Sequence, residues 1–150
     1  MSYEEKNLTV SLSSYLLIIG FYIIKWVNAY QQGGLQAKVI FALWATVIIA
    51  NILVNIIGNI LTNIIFSIIH AVKTRSEVPE RMVTDERDKL IQLKGSKISY
   101  IVFSVGVFLA MLSFMFAEPP LIMFSLIILF SLIAEIVGVI SQLVLYRKGF

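Results

Sequence analysis

The chain has 150 residues, of which 59% are hydrophobic and 14% charged, with a formal net charge of +3 and a mean hydropathy of +0.90. That length suits one small domain, a soluble domain carries about 25% charged residues, and a chain this short cannot enclose so much apolar surface, so most of its solvent is lipid. A soluble enzyme, a nucleic-acid-binding domain and a disordered chain are excluded, and thiol or disulfide chemistry is excluded by the lack of cysteine.

Four apolar stretches follow in chain order, each at or beyond the ~20 residues that cross a ~30 Å hydrocarbon core. Within lipid every backbone polar group needs a partner, so each stretch is expected to be a helix. The first covers about 9–30. Val27-Asn28-Ala29 loosely resembles a leader-cleavage site. The start is acidic, however (Glu4, Glu5), and Lys25-Trp26 interrupt the approach, so a retained span is expected. Gln31-Gln32-Gly33-Gly34 then turns the chain on its glycines.

The second stretch, 39–72, would reach about 51 Å as a helix. Its last turns, from Ser67 to Val72, are expected to stand among the headgroups, with His70 at the interface. An interfacial polar residue is the plain reading of His70, and a pH sensor the sharper one. Asn51, Asn55, Asn59 and Asn63 recur at a step of four, so they lie on one slowly drifting face. Small residues (Ala42, Thr46, Ala50, Gly58, Thr62) run beside them, and isoleucines cover the other side. Such amides either tie helices together, at roughly 0.6–2 kcal/mol per hydrogen bond, or line a hydrated path.

The connection 73–97 holds 12 of the charged residues. Thr84 to Gly95 reads as a short amphipathic helix, with Thr84 as N-cap, acids in the first turn and Lys94 in the last. Asp85 and Lys89 are spaced for an ion pair. Leu90, Ile91 and Leu93 suit the membrane surface, Lys94 and Lys97 suit anionic headgroups at roughly 1 kcal/mol each, and Gly95 permits a bend into the third span. The alternative is a docking face for a cytosolic protein, built from Asp85, Arg87, Asp88, Lys89, Lys94 and Lys97 with Arg87 and Asp88 projecting.

In the third stretch, 98–117, Ser99, Gly106, Ala110, Ser113 and Ala117 form a seam of small residues. Such a seam lets two helices approach closely, within one bundle or between two copies. Glu118-Pro119-Pro120 leads into the fourth stretch, 119–146, and proline suits the first position of a helix. Glu135 is the acid deep in a span, with Ser131, Gly138 and Gln142 on its face. Counted from the outer ends, Glu135 lies about 21 Å down and Asn55 about 22 Å down. Glu135 is therefore expected to face the asparagine row near Asn55. An ionised acid at that depth costs at least a few kcal/mol. The group is either a neutral acid held by an amide or a proton- or cation-responsive site.

Lys6, Lys73, Arg75, Arg81, Arg87, Lys89, Lys94, Lys97, Arg147 and Lys148 share one side of this layout, against Lys25 and Lys38 on the other. The excess of cations puts both termini and the long connection in the cytoplasm. Trp26, Tyr30 and Trp44 then mark an outer aromatic belt, and Tyr100 and Tyr146 an inner one. Lys25 and Lys38 can snorkel to the outer headgroups. The expected architecture is an all-α integral membrane four-helix bundle, one domain over 1–150, with both termini inside and a short amphipathic cytoplasmic helix before the third span. No catalytic residue, metal site or cofactor is expected: there is one histidine, no nucleophile–base pair and no glycine-rich phosphate loop.

Asp85-Glu86-Arg87-Asp88, Ile91, Lys94-Gly95 and Tyr100 resemble the signature of a family of small bacterial four-helix membrane proteins of unknown function. The resemblance covers the connection and the start of the third span; elsewhere it is hydropathy alone. Members are often encoded beside a small helix-turn-helix regulator, which implies a bacterial plasma membrane and a regulatory partner. Small multidrug transporters also have four spans and a membrane glutamate, but theirs is in the first helix and their loops are short. Two functions are carried forward. One is a regulatory or interaction protein holding a cytosolic partner through its charged connection. The other is a small transporter, channel or proton-responsive sensor using Glu135 and the asparagines. The bilayer is the expected environment, self-association is expected because four short helices barely enclose a polar centre, and direct contact with nucleic acid is not.

Overall fold

The computed structural model describes residues 3–32, 35–73, 86–116 and 119–148. It contains four helices: α1 (Tyr3–Gln31), α2 (Ala37–Lys73), α3 (Glu86–Met115) and α4 (Pro120–Arg147). All four are long and apolar enough to cross a membrane. In α2 the side chains of 55, 58, 59, 61–63 and 65–73 lie outside the described residues, and so do all of 74–85 and Ala117. Asn55, Asn59, Asn63, Ser67, His70 and Asp85 fall in those sets.

The ends of the helices follow from local chemistry. The carbonyl of Gln36 accepts the N–H groups of Val39 (3.0 Å) and Ile40 (3.1 Å), closing the first turn of α2. Pro120 opens α4, where its missing N–H costs nothing because the first-turn donors have no intrahelical partner. Pro119 holds an extended backbone (φ −57°, ψ 142°), and its carbonyl receives the N–H of Ile122 at 2.9 Å. Hydroxyls inside the helices donate back to their own chain. Thr9 bonds the Glu5 carbonyl (2.7 Å), Thr46 that of Ala42 (2.8 Å) and Ser104 that of Tyr100 (2.8 Å). In an apolar solvent this local bond removes an otherwise unsatisfied donor.

α4 is the centre of the assembly. It packs along α3 and along α1, and touches α2; α1 also packs on α2. Among the described residues no Cα atom of α2 comes within 8 Å of one in α3. Burial agrees: 33% of the most apolar window of α4 is buried, against 11% in α1 and in α3. Tyr22, Leu43, Val47, Ile128 and Leu132 form the α1–α2–α4 core, with Ile18, Ile19, Trp26, Trp44 and Leu129 against it.

The α3–α4 pair is joined differently, by missing side chains. A Cβ on Gly106 would lie 2.5 Å from Cβ and Cγ of Phe130. One on Gly138 would collide with the Ser99 hydroxyl and come within 3.3 Å of the Gly95 carbonyl, and one on Gly95 would strike Gln142. With Ala110 fully buried, the small seam of α3 is spent inside the chain, against α4. Lipid is as apolar as leucine, so close packing of this kind is what brings helices together in a bilayer.

Two features differ from the sequence expectation. The short amphipathic helix is not a separate element: residues 86–95 are the first turns of α3, which continues through Gly95 to Met115. Asp88, Ile91, Gly95, Ser99 and Gly106 lie on one face, and that face stays on α4 throughout. Gly95 acts as a notch for Gln142 rather than as a bend. Second, Trp26 and Trp44 turn inward. Both pack on the core, and their indole Nε1 atoms are buried with no hydrogen-bond partner. Tyr30, 55% exposed, stacks on Trp26 at 5.5 Å between ring centroids.

Candidate functional site

The direction of Glu135 follows from its neighbours on α4. Gly138, Gln142 and Tyr146 meet α3, whereas Ser125, Ile128 and Leu132 meet α1 and α2. Glu135 is three residues past Leu132 and three before Gly138. At about 100° per residue it stands within about 60° of each. It therefore points between the α1 and α3 sides, toward the bundle axis. Even so, Glu135 is exposed. Among the described residues α3 packs on α4 alone, with no Cα atom of α1 or α2 within 8 Å of one in α3, so nothing covers α4 between α3 and the α1–α2 pair there.

Two groups, Tyr15 and Asn51, reach about the same depth, and the register of the helices shows it. Tyr22 donates its hydroxyl to the Ser125 carbonyl at 2.7 Å, which fixes the antiparallel register of α1 on α4. Seven residues earlier, Tyr15 repeats the same face of α1, at the level of Leu132, and is only 4% exposed. On α2, Ile40, Leu43 and Val47 are buried, and Asn51 continues that face four residues on from Val47. Because Val47 shares the core with Leu132, Asn51 and Glu135 lie within about a turn of each other along the bundle. Asn51 has interactions of its own. No hydrogen bond or ion pair reaches the Glu135 carboxylate from the described residues.

The other polar residues of α4 are occupied locally. Ser131 donates to the Ile128 carbonyl at 2.7 Å. Gln142 lies against Gly95 in the α3 interface. The set Glu135, Ser131 and Gln142 is thus divided: Gln142 meets α3, Ser131 is half-buried, and Glu135 is exposed. Sequence reasoning missed Tyr15 and Tyr22. Their signal was a seven-residue spacing, which puts both rings on the face of α1 that Ile18, Ile19 and Trp26 share.

Where α3 begins and α4 ends, Tyr146 donates its hydroxyl to Oδ1 of Asp88 at 2.8 Å, and the Arg87 guanidinium stands 6.0 Å over its ring. Asp88 is half-buried, so the structure turns it toward α4 rather than outward. Lys89, Lys94 and Lys97 are exposed, with Leu90 and Leu93. No group of three or more metal-ligating side chains occurs among the described residues. Comparisons with known protein families, curated proteins and solved structures give no match.

Proposed function

We propose that this chain is a small multi-pass protein of the bacterial plasma membrane, with both termini cytoplasmic, that works through the Glu135 carboxylate as a proton- or cation-responsive site. One observation carries the reading: an acid at mid-span lies on the inward face of the central helix and is still open. An ionised carboxylate in hydrocarbon costs at least a few kcal/mol, and no basic residue lies between Pro119 and Tyr146 on its helix. A purely structural acid would be sealed and hydrogen-bonded. An acid left accessible is free to gain and lose a proton or a cation. The test is reconstitution in liposomes, with wild type and Glu135→Gln compared between about pH 5 and 8. A pH-dependent flux or conformational change in wild type, absent from the variant, supports the reading; identical behaviour of the two removes it.

The exposed end of α3 favours a second reading. Lys89, Leu93 and Lys97 recur at a step of four on the side away from α4, beside the exposed Leu90. A cytosolic regulatory protein held at the membrane would grip this face. Arg87 and Asp88 are engaged with Tyr146 and would act on docking through the α3–α4 end. Substituting Lys89 and Lys97 by alanine should then release a co-purifying partner more than Asp88→Ala does, and the reverse order would refute it.

A further inference from the structure

We infer that one stripe of α3 seats an anionic phospholipid, with its phosphate between Lys94 and Lys97 and an acyl chain along Ile101, Val105 and Phe108. The inference needs the chain to span a membrane and does not involve Glu135, so the two readings fail separately.

Alignment is the first argument. At about 100° per residue, these five side chains fall within about 80° of one another around α3. Gly95 and Gly106 face α4 on another side of the helix. Both lysines are exposed, and Ile101, Val105 and Phe108 are each more than half exposed. Among the described residues α3 packs on α4 alone, so no other helix of the chain covers this stripe. Two cations therefore stand directly above a continuous apolar track.

Depth is the second. The apolar run 98–116 that follows Lys97 is about 28 Å long as a helix, close to the ~30 Å of a hydrocarbon core. Lys97 is then at the edge of the hydrocarbon, and Lys94 about 4.5 Å further out. Both lie within a headgroup layer about 5–7 Å thick. Lys89 is about 12 Å beyond Lys97 and outside that layer.

Charge is the third. From Lys89 to Met115, α3 has no acid, and the stretch of α4 opposite, from Gly138 to Tyr146, has none. Asp88 is turned to Tyr146, and Glu86 is about 12 Å along the helix from Lys94. Lys94 has interactions of its own, but an ammonium offers three donors. The anion that balances this pair is best supplied by the lipid. A zwitterionic headgroup brings a cation that cancels the attraction, whereas an anionic one does not. A cytosolic protein could reach the lysines but could not follow the track below Lys97 into hydrocarbon.

The experiment places a bimane label on Val105→Cys in the full chain, reconstituted in phosphatidylcholine nanodiscs. The added quencher is phosphatidylglycerol or phosphatidylcholine with a nitroxide on its acyl chain. Leu17→Cys is the reference, because Leu17 is exposed and has no charged residue within seven positions on α1. At position 105, half-quenching by phosphatidylglycerol is expected at a mole fraction about fivefold or more below that for phosphatidylcholine, fivefold being the worth of one lysine at an anionic surface. At position 17 the two lipids should quench alike. The preference at 105 should vanish when Lys94→Gln and Lys97→Gln are combined and persist in Lys89→Gln. Equal quenching by the two lipids at 105 would overturn the inference and leave the lysines to a cytosolic partner. A preference that survives the double substitution, or falls as much in Lys89→Gln, would overturn the assignment to this stripe. Displacement of the labelled lipid by millimolar inorganic phosphate would show a site for the free ion and would also overturn it.

Discussion

Gly106→Ala tests how α3 and α4 are held together. The added Cβ would meet Phe130 at 2.5 Å from both Cβ and Cγ and at 2.8 Å from Cδ1. Carbon atoms sit best at about 3.5–4.0 Å. The Phe130 Cβ is fixed to its backbone, so no rotamer change relieves the clash, and the helices must part by about 1 Å. That opening forfeits roughly a quarter to a half of each contact along the seam. Overpacking of this kind costs about 1–3 kcal/mol, while alanine gains about 1 kcal/mol over glycine in helix propensity. Gly20→Ala supplies the reference, since nothing lies within 4 Å of the Cβ it would add. Propensity cancels between the two variants, so Gly106→Ala should be less stable than Gly20→Ala by about 1–3 kcal/mol. Thermal or denaturant unfolding in one micelle type measures the difference. Equal stability of the two variants would refute a close-packed α3–α4 seam.

Other variants probe the remaining contacts. Tyr22→Phe removes one bond to a carbonyl that α4 still satisfies, and a loss of about 0.6 kcal/mol is expected in the same assay. A double-mutant cycle on Asp88→Ala and Tyr146→Phe should give a coupling of about 1 kcal/mol; additive effects would mean that the 2.8 Å bond does not form in the membrane. Leu132 is 0% exposed and Leu17 75%, so Leu132→Ala should destabilise more than Leu17→Ala. Its cost should fall below the ~2–5 kcal/mol of an aqueous core, because lipid also solvates the side chain in the separated helices.

Much of this fold is legible in hydropathy, because a bilayer imposes the length and polarity of each helix directly. The four apolar stretches match α1 to α4. Where α3 begins was less legible. The charged residues from Glu86 to Lys97 read as surface, yet Asp88, Ile91 and Gly95 continue the face that packs on α4, and helical pairing outlasts the apolar run by three turns. The destination of the small seam could not be read either, since the same glycines serve an internal or an intermolecular contact; Phe130 and Gln142 decide it. Trp26 and Trp44 suggested a belt by their depth, but depth does not say which way a side chain turns on its helix. For the site, counting rises from the outer ends placed Glu135 near the level of the asparagines, and Asn51 is within about a turn of it. The openness of Glu135 depends on how far α3 stands from α1 and α2, which no pattern within one helix encodes.

The central claim is that the inward face of α4 is open at Glu135, and spin-label accessibility tests it most directly. The chain has no cysteine, so a single one introduced at position 132, 135 or 17 carries the only label. In lipid nanodiscs the collision rate with oxygen at position 135 should approach that at the exposed position 17 and exceed that at the buried position 132. A label at position 135 as protected as one at 132 would mean that neighbouring helices close over the acid, and would contradict the account.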